Sequence, residues 1–533
     1  MNSLSNKFTS HKKINWLYIS LALCVSLLPA IFTYVFIYYG MNDHIQNFTP
    51  TFWNDQITYW HEALTFKTVG FNGGYYATDE HIPAIRFFHF GAHGPAYAVL
   101  FGLLGSVVGW NYYTPILINI AFLTIGIGLY ILITKPTIQQ LLWLGGILVT
   151  FAPILNYTSL ISQESFHQAA AMVFAAIFYH LLTGPKQCSP AFKGLSLLFI
   201  LSMAYFRFTW GLLFFPFFAL LSPHTRIHQF LSLLLSIFCI GGIYFFSQIS
   251  SVIWTNHIIY LMVEAFKRSF SEGIHLIMTI FANNWIFLFQ DKSFLKSGAV
   301  LQTLGLIFIL MFYLINNRKP EIEKPNYFSK NELLFHLFTL GTIFFFVFIL
   351  YIAAGGERIL GASMLLSLLI MIKGKQYQGV AFILVINILL FPMLLNQIKT
   401  LWSLNTRVPP QTIRELSTEI QEVIQYQPNA ENSWCNTLLV SLDNYSEKVL
   451  AVPGGIGVSF LMPGRLNQIE KPLKSHYIML NVEKLSRIKR EYPMNLTPLI
   501  QLEDGTMIYK NHDAGCERYN TLEPIIEKNI IIR

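Results

Sequence analysis

Residues Trp53 to Tyr97 read WNDQITYWHEALTFKTVGFNGGYYATDEHIPAIRFFHFGAHGPAY. This acidic, aromatic stretch follows one long apolar run, Ile14 to Tyr39, and precedes many more. Polar side chains crowded at a membrane face are costly to hold there and tend to serve a site. Read as a loop between spans, the stretch makes the chain a polytopic membrane protein whose chemistry is carried at one face.

Composition agrees with that reading. The chain has 533 residues, 53% hydrophobic and 12% charged, with a mean hydropathy of +0.47. A soluble domain carries about 25% charged residues. The net charge of +8 does not point to nucleic acid, because the Lys and Arg residues sit in short loops between apolar segments, as the positive-inside rule expects. The first apolar run is too long for a signal-peptide core and has no A-x-A cleavage pattern near its end.

Lys7, Lys12 and Lys13 precede the first run and place the N-terminus in the cytoplasm. The next apolar stretch, Ala96 to Trp110, is short for a crossing. Taken as dipping into the membrane face, it leaves a long external loop over residues 40–111. Spans then follow at 112–133, 138–155, 166–183, 192–206, 208–221 and 227–249. A second polar external loop covers 250–296 and holds Glu264, Lys267, Arg268, Glu272 and His275. Further spans are predicted at 297–315, 333–352, 359–372 and 377–396. The expected total is about eleven, an odd number that sends the C-terminus outside.

The fold expected is therefore an all-α membrane domain over residues 1–400 and a soluble extracytoplasmic domain over 401–533. The second part changes character, with apolar alternation in TLLVSL and KVLAV and turns at Pro453-Gly454-Gly455 and Glu503-Asp504-Gly505. It reads as α/β or β-rich. Of five cysteines, Cys24, Cys188 and Cys239 lie in or beside spans, and Cys435 and Cys516 are the two in the soluble part. In an oxidising compartment that pair can form a disulfide or stay as two thiols.

Several side chains are candidates for chemistry. Asp55, set among Trp53, Tyr59 and Trp60, is a carboxylate whose pKa would rise unless hydrogen-bonded or metal-bound. Such a group suits a general base; the structural alternative is a helix N-cap. Asp79, Glu80, His81, His89 and His93 form a cluster in which His89 and His93, four apart, are candidate ligands for a divalent cation. The alternative is ordinary hydrogen bonding. Glu164 lies in the next external loop, where helix capping by Ser162 and Ser165 also explains the polar run. Arg207 and Arg358 stand at outer ends of spans, where a planar guanidinium suits a phosphate. Glu357 offers Arg358 an ordinary ion-pair partner instead. Gly102, Gly105 and Gly109 predict close helix packing. Pro453-Gly454-Gly455-Ile456-Gly457 lacks the GxxxxGK[ST] spacing of a P-loop.

Asp55-Gln56, Tyr59, Gly70 and His93-Gly94-Pro95 together resemble the first external loop of the GT-C superfamily of integral-membrane glycosyltransferases. The similarity is to the protein O-mannosyltransferase and aminoarabinose-transferase-like branches. Their loop opens with Asp-Glu, continues with an aromatic four residues on and a later Gly, and reaches a Lys- or His-Pro-Pro-Leu motif. Here Gln56 replaces the second acid and Gly94 the first Pro. The resemblance extends to Glu164, where members often carry Asp. It also reaches Glu357-Arg358-Ile359-Leu360, similar to an Arg-Tyr-Leu-Leu segment with Ile359 in place of Tyr. It covers roughly residues 15–396 and leaves the C-terminal part unmatched.

The resemblance implies a sugar donor on a polyprenyl phosphate, with a lipid, glycan or protein acceptor at the periplasmic face of a bacterial inner membrane. It implies Asp55 as general base, Arg358 and Arg207 on the lipid phosphate, and Glu164, Asp79, Glu80 and His93 on the acceptor or cation side. A lipid-linked glycan transporter or flippase and a non-enzymatic assembly subunit are the readings from other classes. A transporter predicts charges within spans and internal repeats.

Overall fold

The computed structural model describes residues 16–51, 54–75, 77–78, 90, 94–222, 225–250, 257–291, 298–316, 329–350, 353–425, 437–441, 446–461, 473–491, 493–503 and 505–514. Eighteen α-helices and a six-stranded sheet are present among the described residues. The helices are α1 (Trp16–Val35), α2 (Asn54–Val69), α3 (Pro95–Val108), α4 (Thr114–Thr134), α5 (Ile138–Thr150) and α6 (Ala152–Thr158). Next come α7 (Glu164–Thr183), α8 (Pro190–Phe206), α9 (Phe214–Leu221), α10 (Arg226–Ser250), α11 (His257–Arg268) and α12 (Phe270–Asp291). The rest are α13 (Ala299–Asn316), α14 (Lys330–Leu350), α15 (Ala353–Lys373), α16 (Tyr377–Asn405), α17 (Pro410–Val423) and α18 (Val482–Glu491).

The expectation of eleven spans is corrected. Six helices among the described residues are long and apolar enough to cross a membrane, or seven when α5 and α6 count as one bent span. Several segments read as spans are shorter helices, including α8 and the Phe208–Leu221 pair, a 3-10 turn followed by α9. At 1.5 Å per residue, 14 to 17 residues reach about 21–26 Å, short of the roughly 30 Å hydrocarbon core. Six spans would leave both termini on one side and seven would separate them, so span number does not fix the side of the C-terminus. The 250–296 stretch, read as a polar loop, contains the whole of α11 and α12.

Local sequence explains the breaks. Thr137 and Gln140 form a capping box at the start of α5: the Gln140 amide N–H donates to Thr137 Oγ1 at 3.3 Å, and the Thr137 N–H donates to Gln140 Oε1 at 2.8 Å. The expected span 138–155 is bent by 57° after Thr150. Pro153 lacks the N–H that a continuous helix needs there, and its carbonyl accepts a bond from Gln168 Nε2 at 2.9 Å. Helix α3 starts with Pro95 behind Gly94, whose φ of +70° only glycine adopts cheaply. A Cβ at Gly102 would meet the Ala63 carbonyl at 3.0 Å, so the bare glycine lets α3 lie against α2. Gly126 does the same for α4 against α7, with Ala169 Cα 2.9 Å from where its Cβ would be.

The C-terminal part is α/β. Its strands are β2 (Thr437–Ser441), β3 (Gly457–Leu461), β4 (Tyr477–Leu480), β5 (Leu496–Gln501) and β6 (Met507–Asn511). A sixth strand, β1 (Ala77–Thr78), comes from the first loop. The order is β1-β3-β2-β4-β6-β5; the first four run parallel, and β6 and β5 are antiparallel additions. Strands β2 and β3 are buried along their length, as parallel strands covered on both faces must be.

Two cores result. One joins α4, α5, α7, α8, α9, α14 and α15. The other merges α2 and α3, through Ile57, Trp60, Ala63 and Phe101, with Leu438, Val440, Val458 and Phe460 of the sheet. The first loop is thus built into the C-terminal domain by a shared apolar core as well as a shared sheet.

Candidate functional site

Four helix ends meet where α2 begins. Asp55 lies in the first turn of α2, and Glu164 is the first residue of α7. Carboxylates at these positions face the positive ends of their helix dipoles. Arg207 is the residue after α8, and Arg358 lies in the second turn of α15.

Their side chains form one ion cluster. Arg358 Nη1 donates to Asp55 Oδ2 at 3.2 Å, across 303 residues of sequence. Arg358 Nε stands 3.4 Å from Glu164 Oε1, and Arg207 Nη2 donates to the same oxygen at 2.8 Å. Glu164 is almost fully enclosed at 3% exposure, whereas Asp55 and Arg358 retain 19% and 20%. Two carboxylates balance two guanidiniums. Arg207 Nη1 is buried and has no hydrogen-bond partner among the described residues.

The cluster is braced from three sides. Trp210, in the 3-10 turn after Arg207, donates from Nε1 to His167 Nδ1 at 3.0 Å. Indole N–H only donates, so Nδ1 is the acceptor and the ring proton sits on Nε2, 3.4 Å from Gln163 Oε1. His167 lies one turn beyond Glu164, so this bond fixes α7 to the end of α8. Gln56, fully buried beside Asp55, accepts the Ile161 N–H at 3.0 Å and donates to Asn405 Oδ1 at 3.2 Å. It ties α2 to the turn before Glu164 and to the end of α16. The third brace is the C-terminal domain: Gly74 N–H donates to the Gly455 carbonyl at 3.0 Å, and Gly455 N–H to Thr65 Oγ1 at 3.3 Å. The buried ring of His61 faces the backbone of Val452 and Pro453.

The face of α2 behind Asp55 is acidic and aromatic. Burial, reinforced by Asp55 and Glu164 and opposed by the two arginines, pushes the Tyr59 phenol well above its usual range. Burial, with the nearby Asp55 charge, pushes the Glu62 carboxyl up to about 8. Burial also holds His61 down to about 4, against the raising effect of the Pro453 and Val452 backbone.

The structure therefore brings Asp55, Glu164, Arg207 and Arg358 together. Glu164 opens a helix and does not lie in a loop. Asp79, Glu80, His81, His89 and His93 lie outside the described residues, as do Cys435, Cys516 and the side chain of Glu357. Among the described residues no group of three or more His, Cys, Asp or Glu side chains is placed to hold a metal ion. Sequence reasoning passed over Glu62, Tyr97 and Trp210, and saw Gln56 only as a missing acid. Helical spacing was the available signal for one of them: Asp55, Tyr59, Glu62 and Phe66 recur at intervals of three and four. No family model, curated protein or solved structure matches the chain.

Proposed function

We propose that the chain is an integral-membrane glycosyltransferase. It moves a sugar from a polyprenyl-phosphate-linked donor to a lipid, glycan or protein acceptor of the cell envelope. The reaction face is the one carrying the first loop and the C-terminal domain, periplasmic in a bacterial inner membrane with the N-terminus cytoplasmic. The observation that carries this reading is the 3.2 Å contact between Asp55 and Arg358. A proton acceptor and a phosphate-binding cation stand side by side at helix ends, beside a bundle of apolar helices that can accommodate a lipid tail.

Desolvating four charges costs several kcal/mol per ion, so such a cluster is a poor stabilising device. It is better explained as pre-organised polar machinery. In the proposed reaction the acceptor hydroxyl gives its proton to Asp55 as its oxygen bonds to the anomeric carbon. The bond from that carbon to the phosphate oxygen breaks, and the electron pair leaves on the lipid phosphate. Arg207 meets that charge through its unpartnered Nη1. Arg358 exchanges part of its hold on Asp55 for the phosphate, which frees the carboxylate to act as base. A transporter would carry its charges near the middle of spans; here they sit at the ends of α2, α7, α8 and α15.

The test is mass spectrometry of envelope glycolipids and glycoproteins from cells with and without the gene, complemented with wild type or Asp55→Asn. Loss of the base predicts transfer lower by about 10²–10⁴-fold. A folded Asp55→Asn protein with near-full transfer refutes the assigned role.

A further inference from the structure

Glu62 lies seven residues beyond Asp55, two turns along the same face of α2. It is 1% exposed, and neither carboxyl oxygen has a hydrogen-bond partner among the described residues. Tyr97 of α3 is equally buried, and its hydroxyl also has no partner. Tyr59 stands between them and the ion cluster, with its ring 4.5 Å from that of Tyr97. Asp55 acts electrostatically on Glu62, and Glu62 and Glu164 both act on Tyr97. The unpartnered groups therefore occupy one seam between α2 and α3, running inward from the cluster.

Leaving a buried polar group unpaired costs about 1–3 kcal/mol, so three unpaired oxygens in one seam need an explanation. The electrostatics narrow it. The two carboxylates and two arginines of the cluster already balance, and burial keeps the Glu62 carboxyl neutral near pH 7. A neutral carboxyl and a phenol each donate one hydrogen bond and accept others, which matches hydroxyl groups. A bound ammonium would first have to ionise Glu62.

We propose that Glu62 and Tyr97 form the inner half of a binding site for an uncharged polyol, holding hydroxyls of the acceptor while Asp55 faces the one that reacts. This rests on the glycosyltransferase reading above and adds the acceptor's class: an uncharged, sugar-like group.

The experiment uses the full chain in detergent micelles, a panel of methyl glycosides, and glucosamine as the cationic control. Binding is read as a rise in Tm with ligand concentration. It is read independently as protection of Glu62 from dicyclohexylcarbodiimide, a reagent for protonated buried carboxyls, by peptide mass spectrometry. The expected result is that at least one glycoside raises Tm and protects Glu62. Glu62→Gln, which keeps a donor and an acceptor, retains that binding. Glu62→Leu weakens it by about tenfold or more, the equivalent of one lost buried hydrogen bond. Both readouts are taken without a sugar donor and need no transfer step, so this result stands or falls separately from the transfer assay. If no glycoside binds, if Glu62→Leu binds as well as wild type, or if glucosamine protects where glycosides do not, the proposal is overturned. Should Glu62→Leu fail to fold, protection of the wild-type carboxyl and the Glu62→Gln affinity still decide it.

Discussion

Glu164 is the residue on which the cluster turns. It is nearly enclosed, and one of its oxygens faces both arginines, at 2.8 and 3.4 Å. Removing one member of a buried pair leaves an uncompensated charge and costs about 3–5 kcal/mol, whereas removing both members together is often close to neutral. Arg358 remains to offset part of the Glu164 charge, so Arg207→Ala is expected at the lower end, near 3 kcal/mol. Arg207→Ala combined with Glu164→Gln recovers most of that loss. Thermal or denaturant unfolding of the two single variants and the double variant in detergent checks this, and additive losses would show that the two side chains do not act as a pair. The Asp55 and Arg358 pair, about one-fifth exposed, is softer. That suits a contact which must open to admit a phosphate.

At the scale of elements, Gln56 shows how much a single amide can hold. Its carbonyl receives the Ile161 N–H and its amino group reaches Asn405, so α2, the turn before α7 and the end of α16 meet at one buried side chain. Gln56→Leu keeps the volume and removes both bonds. Unpaired buried groups cost about 1–3 kcal/mol each, which for two groups predicts a loss of about 2–6 kcal/mol and a Tm lower by several degrees. An unchanged Tm would mean that the amide is not holding these elements together. The resemblance expects an acid at this position, but an ionised carboxylate only accepts, and the bond to Asn405 Oδ1 requires a donor. Element positions were largely readable from hydropathy, because apolar runs with polar breaks mark helices whatever their final depth. Which helices are long enough to cross was less readable: Pro153 lies at a bend in a run read as one straight span, and the runs on either side of Arg207, read as two spans, are each too short. Asp55, Glu164, Arg207 and Arg358 were legible as polar exceptions in an apolar chain. Tyr97 was not, and Glu62 only as one member of a helical spacing, because their significance depends on α3 packing against α2 through Gly102, a contact that no local pattern encodes.

For the whole molecule, the consequence is that the first loop and the C-terminal domain are expected to fold as one unit. Strand β1 is donated by the loop, and the second core spans both, so that α2 is sealed between α3 and the C-terminal part. His61 and Glu62 report on that seal with opposite signs. Glu62 has a folded pKa of about 8 against an ordinary 4.5, so the folded state holds more protons than the unfolded chain between those values. Its stabilising neutral form is fully present below pH 4.5 and is lost as pH rises towards 8. His61 has a folded pKa of about 4 against 6.5, so its contribution is complete above pH 6.5 and is lost as pH falls towards 4. Between pH 4.5 and 6.5 the two slopes oppose and largely cancel; from 6.5 to 8 Glu62 acts alone, and of the two only His61 still acts below 4.5. Tm measured against pH for wild type and for each single variant separates the two contributions. Relative to wild type, Glu62→Gln lessens the decline of Tm between pH 6.5 and 8, and His61→Asn lessens the loss of Tm as pH falls from 6.5 towards 4. If both variants keep the wild-type profile, water reaches these side chains and the loop is not sealed against the domain.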